Sequence, residues 1–250
     1  MSRQGMKMNL IREAVDLLLP HNCCVCGRFP DADGHVPFEV PENFHICFDC
    51  LSELVPGAVD SRFYPCLTDP FEGDPIPSLL LYLPFPYKGF FEKAVPAMKF
   101  NSHPELAVFS GTVLGSLMKK DGVTADLVVP VPLSASRLKE RGYNQAALIA
   151  SQAAAICGIP CLENVLVRTR DTLRQTEIYD NAHRSMNVNG AFKADPSFVA
   201  EGLKVIVIDD VATTGNTLHE AAAALYEAGA AEVLCCALAG NRALPDAESL

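Results

Sequence analysis

Two adjacent carboxylates, Asp209 and Asp210, are followed within a few positions by Thr213, Thr214, Gly215 and Thr217 in the stretch KVIVIDDVATTGNTLHEAAAALYEAGA. Hydroxyls, a glycine and free backbone N–H groups are the chemistry of an oxyanion cradle, and a helix beginning there adds its dipole to the attraction. The carboxylates serve a different purpose. Beside a phosphate they are repulsive unless they face sugar hydroxyls or a hard cation held through oxygen. The combination points to a phosphorylated sugar rather than a bare phosphate. There is no G-x-x-x-x-G-K-[ST] loop, and the glycines do not fall at G-x-G-x-x-G spacing, so the common nucleotide-binding loops are excluded. A plain capped strand-to-helix turn accounts for one such polar residue but not for the run of them.

The cradle has no cation of its own. The segment PLSASRLKERGYNQ supplies Arg137, Lys139 and Arg141, and VRTRDTLRQ supplies Arg168, Arg170 and Arg174 together with Thr172 and Gln175. Guanidinium forks hold phosphate oxygens in pairs. The second segment is basic and poor in apolar residues, which is the composition of a loop that closes over an anion.

A separate chemistry sits upstream. Cys23-x2-Cys26 and Cys47-x2-Cys50 are two knuckles about 20 residues apart, the spacing of a four-thiolate structural zinc site. Gly27 suits the tight turn after the first knuckle. Cys24 competes with Cys23 for the first ligand position, while His21, His35 and His45 are not needed to complete the set. Cys24, Cys66, Cys157, Cys161, Cys235 and Cys236 otherwise read as reduced, buried thiols. Four ligands leave no open coordination position, so the expected role is folding or docking, not catalysis.

These groups need a frame. Val205 to Ile208 is a β-branched run suited to a strand covered on both faces, and a helix is expected from Leu218 to near Gly229. DLVVPVPL and EVLCCALA read as further strands, and NQAALIASQAAAICG as a helix closed by Gly158. Alternating elements of this kind predict an α/β fold with a parallel sheet flanked by helices and ligands at the carboxyl ends of the strands. The loops after Ile208 and Val131 should then meet at one crevice. The expected organisation is an N-terminal helix over 1–20, with Leu10, Ile11, Ala14 and Leu18 on one face, and a zinc subdomain over 21–60. An aperiodic connector or cap over 61–95, the α/β domain over 96–240 and a tail over 241–250 complete it.

The 250 residues are 49% hydrophobic, enough for a sizeable core, and carry a formal net charge of -10, so the protein as a whole does not attract nucleic acid or anionic lipid. The apolar stretch SLLLYLPFPY is too short and too proline-broken to span a bilayer, and Glu13 and Asp16 interrupt the first helix, so neither membrane insertion nor a signal peptide is expected. The expected location is the cytoplasm, where ten cysteines favour metal binding over disulfides.

VIVIDDVATTGNT closely resembles the signature of the type I phosphoribosyltransferases, and the chain as a whole resembles the ComF family of competence-associated proteins. The knuckles, MKF at 98–100, VPVPLSASRLKERGYNQ, RTRDTLRQ, RSMNVNGAF and the signature carry that resemblance in order. It implies a type I phosphoribosyltransferase fold with a small N-terminal zinc-binding subdomain. It further implies 5-phosphoribosyl 1-pyrophosphate as ligand, with Mg, and transfer of the phosphoribosyl group to a nitrogenous acceptor. Asp209 and Asp210 would meet the ribose hydroxyls as the catalytic pair, and Val211, Ala212, Thr213, Thr214, Gly215, Asn216 and Thr217 would hold the 5-phosphate. Arg137 and Arg141 match the pyrophosphate side, joined by Lys99 from the family's Leu-Lys-Phe pattern, here Met-Lys-Phe. Arg168, Arg170, Thr172 and Gln175 fall in the flexible segment. The alternative the resemblance allows is a non-catalytic protein that binds phosphoribosyl pyrophosphate or single-stranded DNA and acts with DNA-uptake partners. Longer members carry further cysteine pairs, whereas this chain has only Cys66 there, so no second metal is expected.

Overall fold

The computed structural model describes residues 22–28, 45–54, 63–65, 79–100, 103–169 and 190–240. The N-terminal helix expected over 1–20, the tail over 241–250, and Arg170, Thr172, Arg174 and Gln175 lie outside the described residues.

In chain order the first half contains α1 (Phe48–Ser52), β1 (Phe63–Pro65), β2 (Leu80–Tyr82), β3 (Phe85–Pro86), α2 (Phe90–Phe100), α3 (Pro104–Lys120) and β4 (Leu127–Pro130). The second half contains α4 (Ala135–Arg141), α5 (Gln145–Cys157), β5 (Leu166–Arg168), β6 (Phe192–Ala194), β7 (Lys204–Ala212), α6 (Asn216–Glu227) and β8 (Glu232–Gly240). The main sheet has the order β1-β2-β8-β7-β4, with β3 also on β8. All its pairings are parallel except the edge pair of β1 with β2. The strands β5 and β6 form a separate antiparallel pair.

The two faces of the sheet are read from β7. Ile206 and Ile208 join the core containing Leu106, Leu114 and Ile149 of α3 and α5, while Val205 and Val207 join the core containing Leu218 and Leu225 of α6. Successive side chains of a strand point to opposite faces, so a continuous apolar run is what a sheet covered on both sides requires. On the first face α3 lies against α5 at small residues. A Cβ on Gly111 would stand 2.6 Å from the Ile149 carbonyl, and one on Gly115 would stand 2.7 Å from Cα of Ala153.

Three features differ from the sequence reading. First, β7 does not end before the carboxylates. It continues through Asp209 and Asp210 to Ala212, because β8 offers parallel partners as far as Gly240. That last pairing needs glycine, since a Cβ on residue 240 would lie 2.5 Å from the Ala212 carbonyl oxygen. Second, α6 begins at Asn216 rather than Leu218, leaving only Thr213 to Gly215 between strand and helix. Third, the stretch expected to be an aperiodic connector contributes β1, β2 and β3, and the division expected between 95 and 96 falls inside α2. Strands of two or three residues are too short to display a period of two. Among the described residues, no helix is long and apolar enough to cross a membrane.

Candidate functional site

A cavity of about 320 Å³ opens where β4 and β7 end. From β7 and the loop after it come Asp209, Asp210, Val211 and Thr213, and from the first turn of α6 comes Thr217; from α4 come Arg137 and Arg141; Lys99 and Arg168 reach it from α2 and β5. The two loops that topology sends to one crevice do meet there. Ala212, Thr214, Gly215 and Asn216 are not on its wall; Ala212 and Gly215 are buried behind it, and the Thr214 hydroxyl accepts from the Asn216 N–H at 3.5 Å. Gly215, at φ 85°, is the N-cap of α6 and offers no side chain to occupy the first-turn amides.

The carboxylates are not equivalent. Asp210 is 8% exposed and its Oδ2 lies 2.6 Å from the Lys99 ammonium, while its backbone N–H donates to Oδ1 of Asp209 at 2.8 Å. Burial pushes the Asp209 carboxyl up to about 7, and the neighbouring Asp210 charge pushes the same way. Lys99, the Asp210 N–H and Arg168 pull against that rise without cancelling it. One carboxylate is thus charge-compensated and the other is easily protonated.

The opposite wall is built by two helix starts. Ser134 caps α4, accepting from the Arg137 N–H at 3.4 Å, and Gly142 ends that helix at φ 77°. Asn144 then caps α5, accepting from the Ala146 N–H at 3.1 Å while its Nδ2 donates to the Val131 carbonyl at 3.0 Å. A short helix between two caps holds Arg137 and Arg141 one turn apart on the cavity side. Arg141 also lies 5.7 Å from the Phe100 ring, and Arg168 lies 5.2 Å from the Phe192 ring, within cation–π range.

Sequence reasoning did not single out Tyr87, Asn144 and Gln145, which also line the cavity. Asn144 and Gln145 follow Gly142 at a helix start, a capping signal that was legible. Tyr87 follows a proline-rich stretch with no such marker.

Away from the cavity, the sulfurs of Cys23, Cys26, Cys47 and Cys50 all lie within 4.8 Å of one another, and the four could hold a metal ion. The Cys26 and Cys47 sulfurs are 3.7 Å apart, close to the ~3.8 Å edge of a tetrahedron with metal–sulfur bonds of about 2.3 Å. Gly27, at φ 72°, returns its N–H to the Cys23 carbonyl, and the Cys47 N–H points at the Cys23 sulfur at 3.3 Å. Cys24 is outside this cluster, and burial pushes its thiol up to about 12. The module shares a core with α2 and α3 and is tied to α2 by Glu53, whose carboxylate accepts from Lys93 at 2.8 Å.

The phosphoribosyl transferase domain family matches residues 139–249. Competence protein F of Haemophilus influenzae is 35% identical over 115 residues, covering 46% of this chain and 50% of that one. Competence protein ComFC of Bacillus subtilis is 30% identical over 162 residues, covering 59% of this chain and 58% of that one. Over about half of its length the chain is similar to these competence proteins. The chain spans about half the length of the curated relatives it matches. Its mostly parallel sheet, flanked by helices, is a phosphoribosyltransferase fold with four clustered cysteines at the N-terminal side. Among solved structures it is similar to the glutamine phosphoribosylpyrophosphate amidotransferase of B. subtilis at 24% identity and a TM-score of 0.41, covering 58% of this chain and 30% of that chain.

Proposed function

We propose that the cavity binds 5-phosphoribosyl 1-pyrophosphate and that the protein transfers its phosphoribosyl group to a nitrogenous acceptor. The observation that carries this reading is the meeting of a carboxylate pair, a hydroxyl-rich helix start and three separate basic elements on one cavity. In the proposed complex Thr213 and Thr217 hold the 5-phosphate at the start of α6, Asp209 and Asp210 face the ribose hydroxyls, and Arg137, Arg141 and Lys99 face the pyrophosphate. Arg168 stands at the base of the segment that would close over the ligand.

The reaction forms a bond from the acceptor nitrogen to the anomeric carbon and breaks the bond from that carbon to the pyrophosphate oxygen, which keeps the electron pair. A proton leaves the acceptor nitrogen. Positive charge grows on the sugar ring beside the carboxylates, and negative charge grows on the leaving group beside the arginines, so catalysis is electrostatic. Magnesium would neutralise the leaving oxygens further. Lys99 already occupies the Asp210 carboxylate, which suits a cation carried in on the ligand's phosphates better than a dedicated protein cage. In the same reading the four cysteines hold a structural zinc.

A second reading is favoured by the names of the relatives, which include a DNA utilization protein of Salmonella typhi alongside the competence proteins. Here the cavity binds its ligand without turnover, and a single strand is held beside it at Phe100, 67% exposed with Arg141 at its ring. Calorimetric titration with phosphoribosyl pyrophosphate, with and without magnesium, tests the first reading. Binding that requires the Asp209/Asp210 pair, followed by acceptor-dependent pyrophosphate release, sustains it. Absence of binding by the folded, metal-loaded protein overturns both readings of the cavity, and single-strand binding without any pyrophosphate release selects the second.

A further inference from the structure

Gln145 is 1% exposed, and both ends of its amide are engaged. Its Oε1 accepts from Nη1 of Arg141 at 3.1 Å, and its Nε2 donates to the Met98 carbonyl at 3.2 Å. Those partners fix the amide's orientation, because a guanidinium can only donate and a backbone carbonyl can only accept. The Met98 carbonyl belongs to the peptide that leads into Lys99, and it also accepts from the Tyr143 hydroxyl at 2.5 Å. One uncharged side chain therefore touches a cavity arginine and the backbone immediately before the cavity lysine.

A second observation concerns Arg141 itself. Its Nε is buried and has no hydrogen-bond partner among the described residues. A buried guanidinium N–H without a partner is costly unless an acceptor arrives from the cavity that Arg141 lines.

We infer that Gln145 is a positioning residue that holds Arg141 and Lys99 on one wall of the cavity so that both cations meet the diphosphate of a single ligand. The chemistry of the side chain fits this role. A carboxylate at 145 would pair with the guanidinium and cancel its charge, whereas an amide fixes the group and leaves the charge available. Both polar atoms of Gln145 are engaged by protein groups, so its proposed action runs through Arg141 and Lys99. The inference rests on the ligand reading above.

The test is calorimetric titration of the full-length, metal-loaded protein with inorganic pyrophosphate, comparing the wild type with Arg141→Ala, Gln145→Met and the double variant. Gln145→Met is expected to lose about tenfold in affinity, the scale of one hydrogen bond to a charged group. The double variant is expected to bind more weakly than Arg141→Ala by less than the full Gln145→Met factor, because the part of the effect that runs through Arg141 is already gone while the part that runs through Lys99 remains. Gln145→Glu, which keeps the volume, is expected to lose more than Gln145→Met and serves in its place if the methionine variant does not fold. Wild-type affinity in Gln145→Met or Gln145→Glu, with Arg141→Ala weakened, overturns the positioning role alone. Additive losses in the double variant do the same. If wild type and Arg141→Ala bind pyrophosphate equally or not at all, the ligand reading fails and the positioning role falls with it.

Discussion

The Lys99 ammonium reaches from α2 to within 2.6 Å of Asp210 Oδ2 at the carboxyl end of β7. The pair is partly buried, with 23% and 11% of the side chains exposed, so its rupture leaves a carboxylate poorly solvated beside a second one. Lys99→Met is expected to destabilise the protein by about 1–3 kcal/mol, between the values for surface and fully buried pairs. Adding Asp210→Asn should recover much of that loss. Denaturant unfolding of the two variants checks both numbers; equal stability of wild type and Lys99→Met would mean that the contact contributes nothing to the fold.

Asp209 gives a pH dependence of defined sign. Its folded-state value of about 7 stands above the ordinary 3.8, so over that window the folded protein retains a proton that the unfolded chain has released. Its contribution to stability therefore declines as pH rises from about 4 to about 7 and is constant above. Asp209→Asn is expected to unfold at a higher temperature than the wild type at pH 8 and to lose this part of the slope, while losing the proposed turnover. Melting curves from pH 5 to 8 read the effect, and parallel curves for the two proteins would count against it.

The glycine contacts between α3 and α5 set a steric test. Gly111→Ala and Gly115→Ala each place a methyl within 2.7 Å of backbone atoms of α5. Overpacking of this kind costs about 1–3 kcal/mol, offset by less than 1 kcal/mol of helix propensity. Both variants should melt lower than the wild type, even though alanine is the better helix former. Because α5 carries Asn144 and Gln145 at its start, pyrophosphate affinity should fall with stability.

Metal content separates the clustered cysteines from their neighbour. Cys50→Ser is expected to lose the metal and lower the melting temperature, whereas Cys24→Ala should retain one metal ion per chain, because only Cys50 belongs to the four-sulfur cluster. Elemental analysis of the purified variants decides it. Loss of metal from Cys24→Ala would move the ligand set.

The parts of the site that lie in continuous chemistry were legible in the sequence. Paired cysteines, the Asp209–Thr217 run and the arginines of α4 announce themselves by residue type and spacing. The β-branched run of β7 foretold a doubly covered strand, and its cores on both faces agree. What stayed hidden depends on partners distant along the chain. The strand continues through Asp209 to Ala212 because β8 offers partners from Ala237 to Gly240, and the last of those pairings needs the glycine at 240. Short β1, β2 and β3 gain their conformation from β8 and from one another, not from any local pattern. Gln145 reads as one more helix-start residue until its two partners are known.

The span matched by the family, residues 139–249, includes β7 and β8 but neither β4 nor β2 and β3. Those three strands pair with the two sides of the β7–β8 ribbon, and α2 upstream brings Lys99. A polypeptide trimmed to that span would present two open sheet edges built from Val, Ile, Leu and Cys, the pattern that recruits other chains edge to edge. It would also keep Arg141 while discarding the helix whose carbonyl steadies Gln145 beside it. The autonomous unit of this protein therefore begins well before its recognisable signature, and expression of the signature domain by itself should yield aggregates.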